Sequence, residues 1–220
     1  MDQRSVSEAV ASLRKRILQA GGTNVALLGV TKTFGSDAWR FAKAAGCDAV
    51  GENYAQEIVQ KADEVALADR LPVHFIGQLQ SNKIKQLAGI VDVWQSVDRL
   101  ALLTEIAKRS PRSGAEVLIQ VNATGEDGKG GCAPAEVGEL VHSALDLGLS
   151  VIGLMTVGPT QQDPVMTRSA FRLLRTLVDE HELRHCSMGM TGDLEIAIEE
   201  GSTMVRVGSA LFGNRPSPRR

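Results

Sequence analysis

Eight short apolar runs, each followed by a longer stretch of helical character, set the strongest limit on how this 220-residue chain can fold. The runs cover residues 25–31, 48–52, 73–77, 92–96, 116–122, 150–156, 186–190 and 204–208, and are rich in Val, Ile, Leu or Met. Strands that alternate with helices pair in parallel, because a parallel neighbour requires a crossover connection. The helical segments have recognisable starts. Ser81 and Asp98 are read as N-caps, Pro134 and Pro164 suit the first helical position, and Asp163 caps the helix that Pro164 opens. Leu100, Leu103, Ile106 and Ala107 recur at helical spacing, as do Phe171, Leu174, Leu177 and Val178. Ahead of the first run, residues 1–20 place Val6, Val10, Leu13 and Ile17 on one helix face, and Gly21 and Gly22 stop that helix.

Eight such units in about 200 residues fit the small end of the α/β class built as a single (β/α)8 TIM barrel. An open doubly wound sheet is the alternative, but it would not usually need all eight strands. Nothing in the composition marks a linker. One domain is therefore expected over residues 1–215, with residues 216–220 as a disordered tail.

Composition removes several function classes. A formal charge of −2 and 4% aromatic residues leave neither an electrostatic footprint for nucleic acid or anionic membrane nor stacking platforms for single strands. No apolar run approaches the length of a membrane span, and residues 1–12 lack a secretory apolar core. Three cysteines, Cys47, Cys132 and Cys186, form neither an even set nor a C-x-x-C pair, which fits a reducing cytoplasm.

In a TIM barrel the chemistry lies at the C-terminal ends of the strands, with a phosphate site commonly built after strands seven and eight. The first strand runs into Lys32, the one charged residue between Arg16 and Asp37. Desolvation there disfavours the ammonium form, and a neutral lysine amine is a nucleophile suited to a Schiff base. The other reading is a lysine that leaves the rim and snorkels to water. After strand seven, Thr191 and Gly192 precede a helix expected over residues 193–200; after strand eight comes Gly208-Ser209. Two such turns side by side suit an anion, although each glycine also suits a tight turn alone. Arg206, inside an apolar strand, needs a buried acceptor: Glu195, Glu199 or a ligand.

Other patterns are weaker. Residues 125–131 are glycine-rich, but Gly130 follows Lys129 where a P-loop needs Ser or Thr, so a mobile surface loop is expected. His181 and His185 stand four apart, yet the helix ends between them, which argues against zinc. Glu52 and Glu57 do not make a convincing glycosidase pair.

Six motifs now stand in register: Val30-Thr31-Lys32-Thr33, Gly51-Glu52-Asn53-Tyr54-Ala55-Gln56-Glu57, His74-Phe75-Ile76-Gly77-Gln78-Leu79-Gln80-Ser81-Asn82-Lys83, Gly153-Leu154-Met155-Thr156, Ser187-Met188-Gly189-Met190-Thr191-Gly192-Asp193 and Val205-Arg206-Val207-Gly208-Ser209. Together they resemble the YggS/PROSC family of pyridoxal-phosphate-binding homeostasis proteins over nearly the whole chain. The resemblance implies a barrel similar to the N-terminal domain of alanine racemase, with pyridoxal phosphate (PLP) held as a Schiff base on Lys32. It implies Arg206 facing the pyridine nitrogen and places Ser187, Thr191, Gly192, Gly208 and Ser209 on turns that hold the phosphate. Asn53, His74 and Met155 match positions lining the cofactor pocket. The chain departs from the pattern at Phe34-Gly35, where many members have lysine or glutamine and then proline, and in the glycine content of residues 125–131.

The function implied is to buffer and deliver PLP, maintaining vitamin B6 and amino-acid pools, in a cytoplasmic monomer whose partners are PLP and apo PLP-dependent enzymes, not nucleic acid or membrane. The alternative is a PLP-dependent racemase or related enzyme. Such enzymes use a second base, a tyrosine, and a second β-domain. This chain has no room for that domain and one tyrosine, Tyr54, so catalysis is expected to be weak.

Overall fold

The computed structural model describes residues 2–110 and 114–213. The tail expected over residues 216–220 lies outside the described residues. All eight runs are strands: β1 Ala26–Val30, β2 Ala49–Glu52, β3 Val73–Phe75, β4 Val93–Val97, β5 Glu116–Gln120, β6 Ser150–Met155, β7 His185–Ser187 and β8 Met204–Val207. They pair in parallel in sequence order, and β8 returns to β1 to close the barrel. Most of the runs lose residues at their C-terminal ends, because the chain leaves the ladder there to build the rim turns. After β7, Gly189 adopts a φ of 97°, and a Cβ there would sit 2.5 Å from that of Ala197.

The helices are α1 Gln3–Gln19, α2 Asp37–Ala45, α3 Ala55–Glu64, α4 Ser81–Leu87, α5 Leu100–Arg109, α6 Val137–Asp146, α7 Pro164–Glu180, α8 Leu194–Glu199 and α9 Ser209–Phe212. Asp163 caps α7 as expected, accepting from the Met166 N–H. Ser81 and Asp98 are corrections. Ser81 is the first helical residue after Gln80, and Asp98 pairs with Arg99, which occupies the cap position. Neither cap position has a side-chain cap bond. Burial of the helix faces against the sheet decides where α4 and α5 start.

α8 and α9 are only six and four residues long, too short to cover the sheet where β8 meets β1. α1 supplies the cover, packing on α2, α8 and α9 with Val6, Val10, Leu13 and Ile17 buried. Arg16 fastens it to Glu195 at 2.7 Å. The main core lies between sheet and helices, where Leu27, Trp39, Val50 and Ile58 are fully buried. Each aliphatic side chain so placed stabilises the fold by about 1.5–3 kcal/mol relative to exposure.

Inside the barrel, Leu28, Ala49 and Met204 form one apolar group and Val93, Leu118, Ile152 and Met155 another. A polar chain crosses this interior. Arg206 Nη1 donates to Ser187 Oγ at 2.7 Å, and Ser187 donates to Gln95 Oε1 at 2.7 Å. Gln95 Nε2 in turn lies 2.7 Å from His74 Nδ1. Read in that direction, each link pairs a donor with an acceptor, and His74 accepts at Nδ1 as the neutral Nε2–H tautomer. Burial, with the His185 charge adding to it, lowers the His74 pKa from 6.5 to about 4.

Between those values the unfolded chain binds a proton that the folded barrel refuses. Stability is therefore complete above pH 6.5 and declines as pH falls toward 4. The His74 contribution to that decline is about 3 kcal/mol. Urea unfolding at pH 7 and pH 4 checks it: the parent should lose more stability than His74→Gln by about that amount.

Candidate functional site

Residues alternate between the barrel interior and the helix layer along each strand. In β1, Leu28 faces inward and Leu27 outward, so Val30 and Lys32 continue the inward set while Thr31 turns to the helices. In β2 the same rule sends Gly51 and Asn53 inward and Glu52 outward. The inward residues at the C-terminal rim surround a hollow of about 370 Å³, within the usual range for a small-molecule site. Of the residues singled out in the sequence, Lys32, Asn53, Thr191, Gly192, Arg206, Gly208 and Ser209 line it.

Three others do not. Ser187 is fully buried behind Arg206, holding the guanidinium. His74 sits deeper in the interior at the far end of the polar chain, and Met155 packs with Val93, Leu118 and Ile152. Pattern reading also missed residues that line the hollow: Val30, Ile76, Val157, Gln162, Met190 and Asp193. Val30 and Ile76 could have been found from strand alternation. Gln162 could not, since it arrives on the loop after β6 with a positive φ and approaches Gly192.

Arg206 is nearly completely buried, and its second nitrogen donates to the Thr156 carbonyl at 2.7 Å. Burial lowers its pKa to about 10, with the Asp193 charge working the other way, so the guanidinium is protonated at neutral pH. The expected partners Glu195 and Glu199 are engaged elsewhere, with Arg16 and Arg168. Asp193 accepts from the Met190 N–H and fixes the turn that presents Thr191 and Gly192. The buried Oδ1 of Asn53 finds no hydrogen-bond partner.

The turn carrying Lys32 is held from behind. Lys61 Nζ, on α3, donates to the Thr31 carbonyl at 2.8 Å and to Glu52 Oε1 at 2.6 Å. The same carboxylate oxygen accepts from Thr31 Oγ1 and Trp39 Nε1. Glu57, one helical turn before Lys61, accepts from the Thr33 N–H at 2.7 Å. Thr33 has a φ of 70°, a left-handed conformation costly for a β-branched residue.

The loop at residues 125–131 lies at the surface, as expected, and hydrogen bonds tie it to its neighbours. Asn122 accepts from Gly125 N–H, Lys129 donates to the Gly158 carbonyl and pairs with Glu126, and Glu126 accepts from Thr160. All three cysteines are free, and burial pushes their thiols up to about 11 for Cys47 and about 12 for Cys132 and Cys186. Among the described residues, no cluster of three or more His, Cys, Asp or Glu suits a metal, and no helix is long and apolar enough to cross a membrane.

The family described as alanine racemase, N-terminal domain, matches residues 2–216. A protein of Aquifex aeolicus named pyridoxal phosphate homeostasis protein is 42% identical, with 96% of each chain covered. A Pseudomonas aeruginosa protein of the same name is 40% identical, again over 96% of each chain. Among solved structures, PipY of Synechococcus elongatus with PLP bound superimposes with a TM-score of 0.80 at 33% identity, covering 94% of this chain and all of PipY. With the closed barrel and the rim hollow in place, these matches show that the chain belongs to the pyridoxal phosphate homeostasis proteins of the alanine racemase N-terminal domain family.

Proposed function

We propose that the protein binds PLP in the rim hollow, links it covalently to Lys32 as a Schiff base, and buffers and delivers it. The observation that carries this reading is the convergence of Lys32, the Arg206 guanidinium and the Thr191-Gly192 and Gly208-Ser209 turns on one hollow, in a chain 33% identical to PLP-bound PipY. The residues present fit that group. The first backbone N–H groups of α8 and α9, which have no acceptor within their own helix, suit an anionic arm, and the orphaned Asn53 oxygen offers an acceptor in the wall.

When bound, PLP supplies an aldehyde that condenses with primary amines and a ring that withdraws electrons. Lys32 would hold the group through its primary amine, by a condensation that releases water and that water can reverse, so that the cofactor could be freed for transfer. Arg206 has donors and no acceptor, so it cannot take a proton from the ring nitrogen, and it favours the neutral pyridine. Carbanion chemistry is correspondingly poorly supported. Ser187, His74 and Met155 act from beneath the hollow in this reading, Ser187 and His74 by setting the guanidinium and Met155 by packing.

A racemase is the second reading, and the position of Tyr54 weighs against it. Tyr54 is half exposed at the start of α3 and lines a neighbouring cleft with Gln56, Gln78, Gln80 and Lys83, not the hollow. Recipients in this account are apo PLP-dependent enzymes, and the three shielded thiols suit a reducing cytoplasm.

Purified protein should be yellow, and borohydride should fix the cofactor to the peptide that contains Lys32. Lys32→Ala should lose both colour and trapped adduct; equal colour in this variant, or an adduct on another side chain, overturns the assignment. Arg206→Ala should keep the adduct while releasing PLP faster on dialysis. Deuterium exchange at the α-carbon of L-alanine should stay near background, and exchange at an enzyme-like rate would favour the racemase.

A further inference from the structure

We infer that Glu57 and Lys61 of α3, with Glu52 beneath them, form a clamp that sets the position of the Lys32 amine for condensation with the aldehyde. The inference rests on the proposed role of Lys32 and adds three positioning residues that touch neither hollow nor ligand. Lys61 Nζ holds the Thr31 carbonyl at 2.8 Å and Glu57 holds the Thr33 N–H at 2.7 Å, so the peptide on each side of Lys32 is gripped from one helix. Glu57 and Lys61 are four residues apart and also face each other at 3.5 Å, which makes the two grips one unit.

Two observations separate this from an ordinary stabilising contact. Lys61 and Glu52 are 3% and 0% exposed, and a charge pair at such depth is a poor source of stability, since apolar residues of similar volume often serve as well or better. A pair kept there is better explained by the geometry it enforces. The segment it grips is also the strained one: Thr33 sits at a φ of 70° in a turn that Phe34 N–H closes on the Thr31 carbonyl at 3.2 Å, and Glu57 captures the N–H of Thr33 itself. With the Glu57 bond gone, only the Phe34 N–H bond to the Thr31 carbonyl still holds the turn, and the peptide after Lys32 gains freedom that displaces the Lys32 side chain. The amine then spends less time where the aldehyde meets it, so the clamp acts on the rate of linkage and leaves the grip on the phosphate arm alone.

The test uses full-length protein stripped of cofactor, with PLP as the probe. The rise of the visible band is followed from pH 6.5 to 9, borohydride adducts are mapped, and bound PLP is measured by filtration. Glu57→Ala should form the linkage about tenfold more slowly and shift the pH midpoint of the band, with total bound PLP little changed. Glu57→Gln, which keeps an oxygen acceptor for the Thr33 N–H, should stay within about twofold of the parent. The double change Glu52→Gln with Lys61→Met removes both buried charges together and tests the Thr31 grip without leaving a lone ion; it should also slow linkage. Parental rate and midpoint in Glu57→Ala or in the double variant overturns the clamp while leaving the Lys32 assignment standing. An adduct mapping away from Lys32 in the parent overturns that assignment instead.

Discussion

Closure of β8 onto β1 is the constraint from which the rest of this molecule follows. The pairing of Leu28 with Arg206 brings the two ends of the chain into one ladder, and with them the cationic side chains that flank the rim hollow. A parallel sheet left open there would expose unpaired backbone groups along both edges and hold Lys32 and Arg206 apart. Closure also explains α1. The short α8 and α9 leave the β8–β1 seam thinly covered, and the leading helix lies where a longer final helix would otherwise be needed.

Two buried polar systems, on opposite faces of the sheet, complete the rim. Inside the barrel, a directed chain from Arg206 through Ser187 and Gln95 ends on neutral His74 and holds the guanidinium in one orientation. Between sheet and helices, Glu52, Lys61, Trp39 and Thr31 lock the end of β1 against α2 and α3. Buried polar groups are costly unless bonded, and two that make these bonds, Thr31 and Glu52, are the sequence neighbours of Lys32 and Asn53, which line the hollow. Strand alternation makes that possible: Lys32 faces the hollow because Thr31 faces the helices, and Asn53 faces it because Glu52 does not.

Much of this was legible before any coordinates. The eight apolar runs gave the strand count and order, because a parallel strand separated from its neighbour by a helix has few other ways to pair. The rim residues Lys32, Thr191, Gly192, Arg206, Gly208 and Ser209 followed from topology, since strand ends are where a barrel presents its side chains. Other features depend on distance in space and left no local trace. Ser81 and Asp98 have the chemistry of helix caps, yet packing on the sheet moved the helix starts past them. The glycine-rich stretch 125–131 suggested a loop, and the latch from Lys129 to the Gly158 carbonyl, across two loops, could not be read from it. The expected Arg206 partners Glu195 and Glu199 were near in sequence, but helix orientation turned both outward to arginines on other elements.

Sequence alone determined the class of fold, the order of the strands and which residues lie at their C-terminal ends, because hydrophobic period and chain connectivity are local properties. Tertiary structure alone decided which of those residues share the hollow, which lie beneath it, and that Glu57 and Lys61 grip the backbone around Lys32. Those outcomes depend on side chains meeting across elements, and burial, not spacing along the chain, selects which meetings are satisfied.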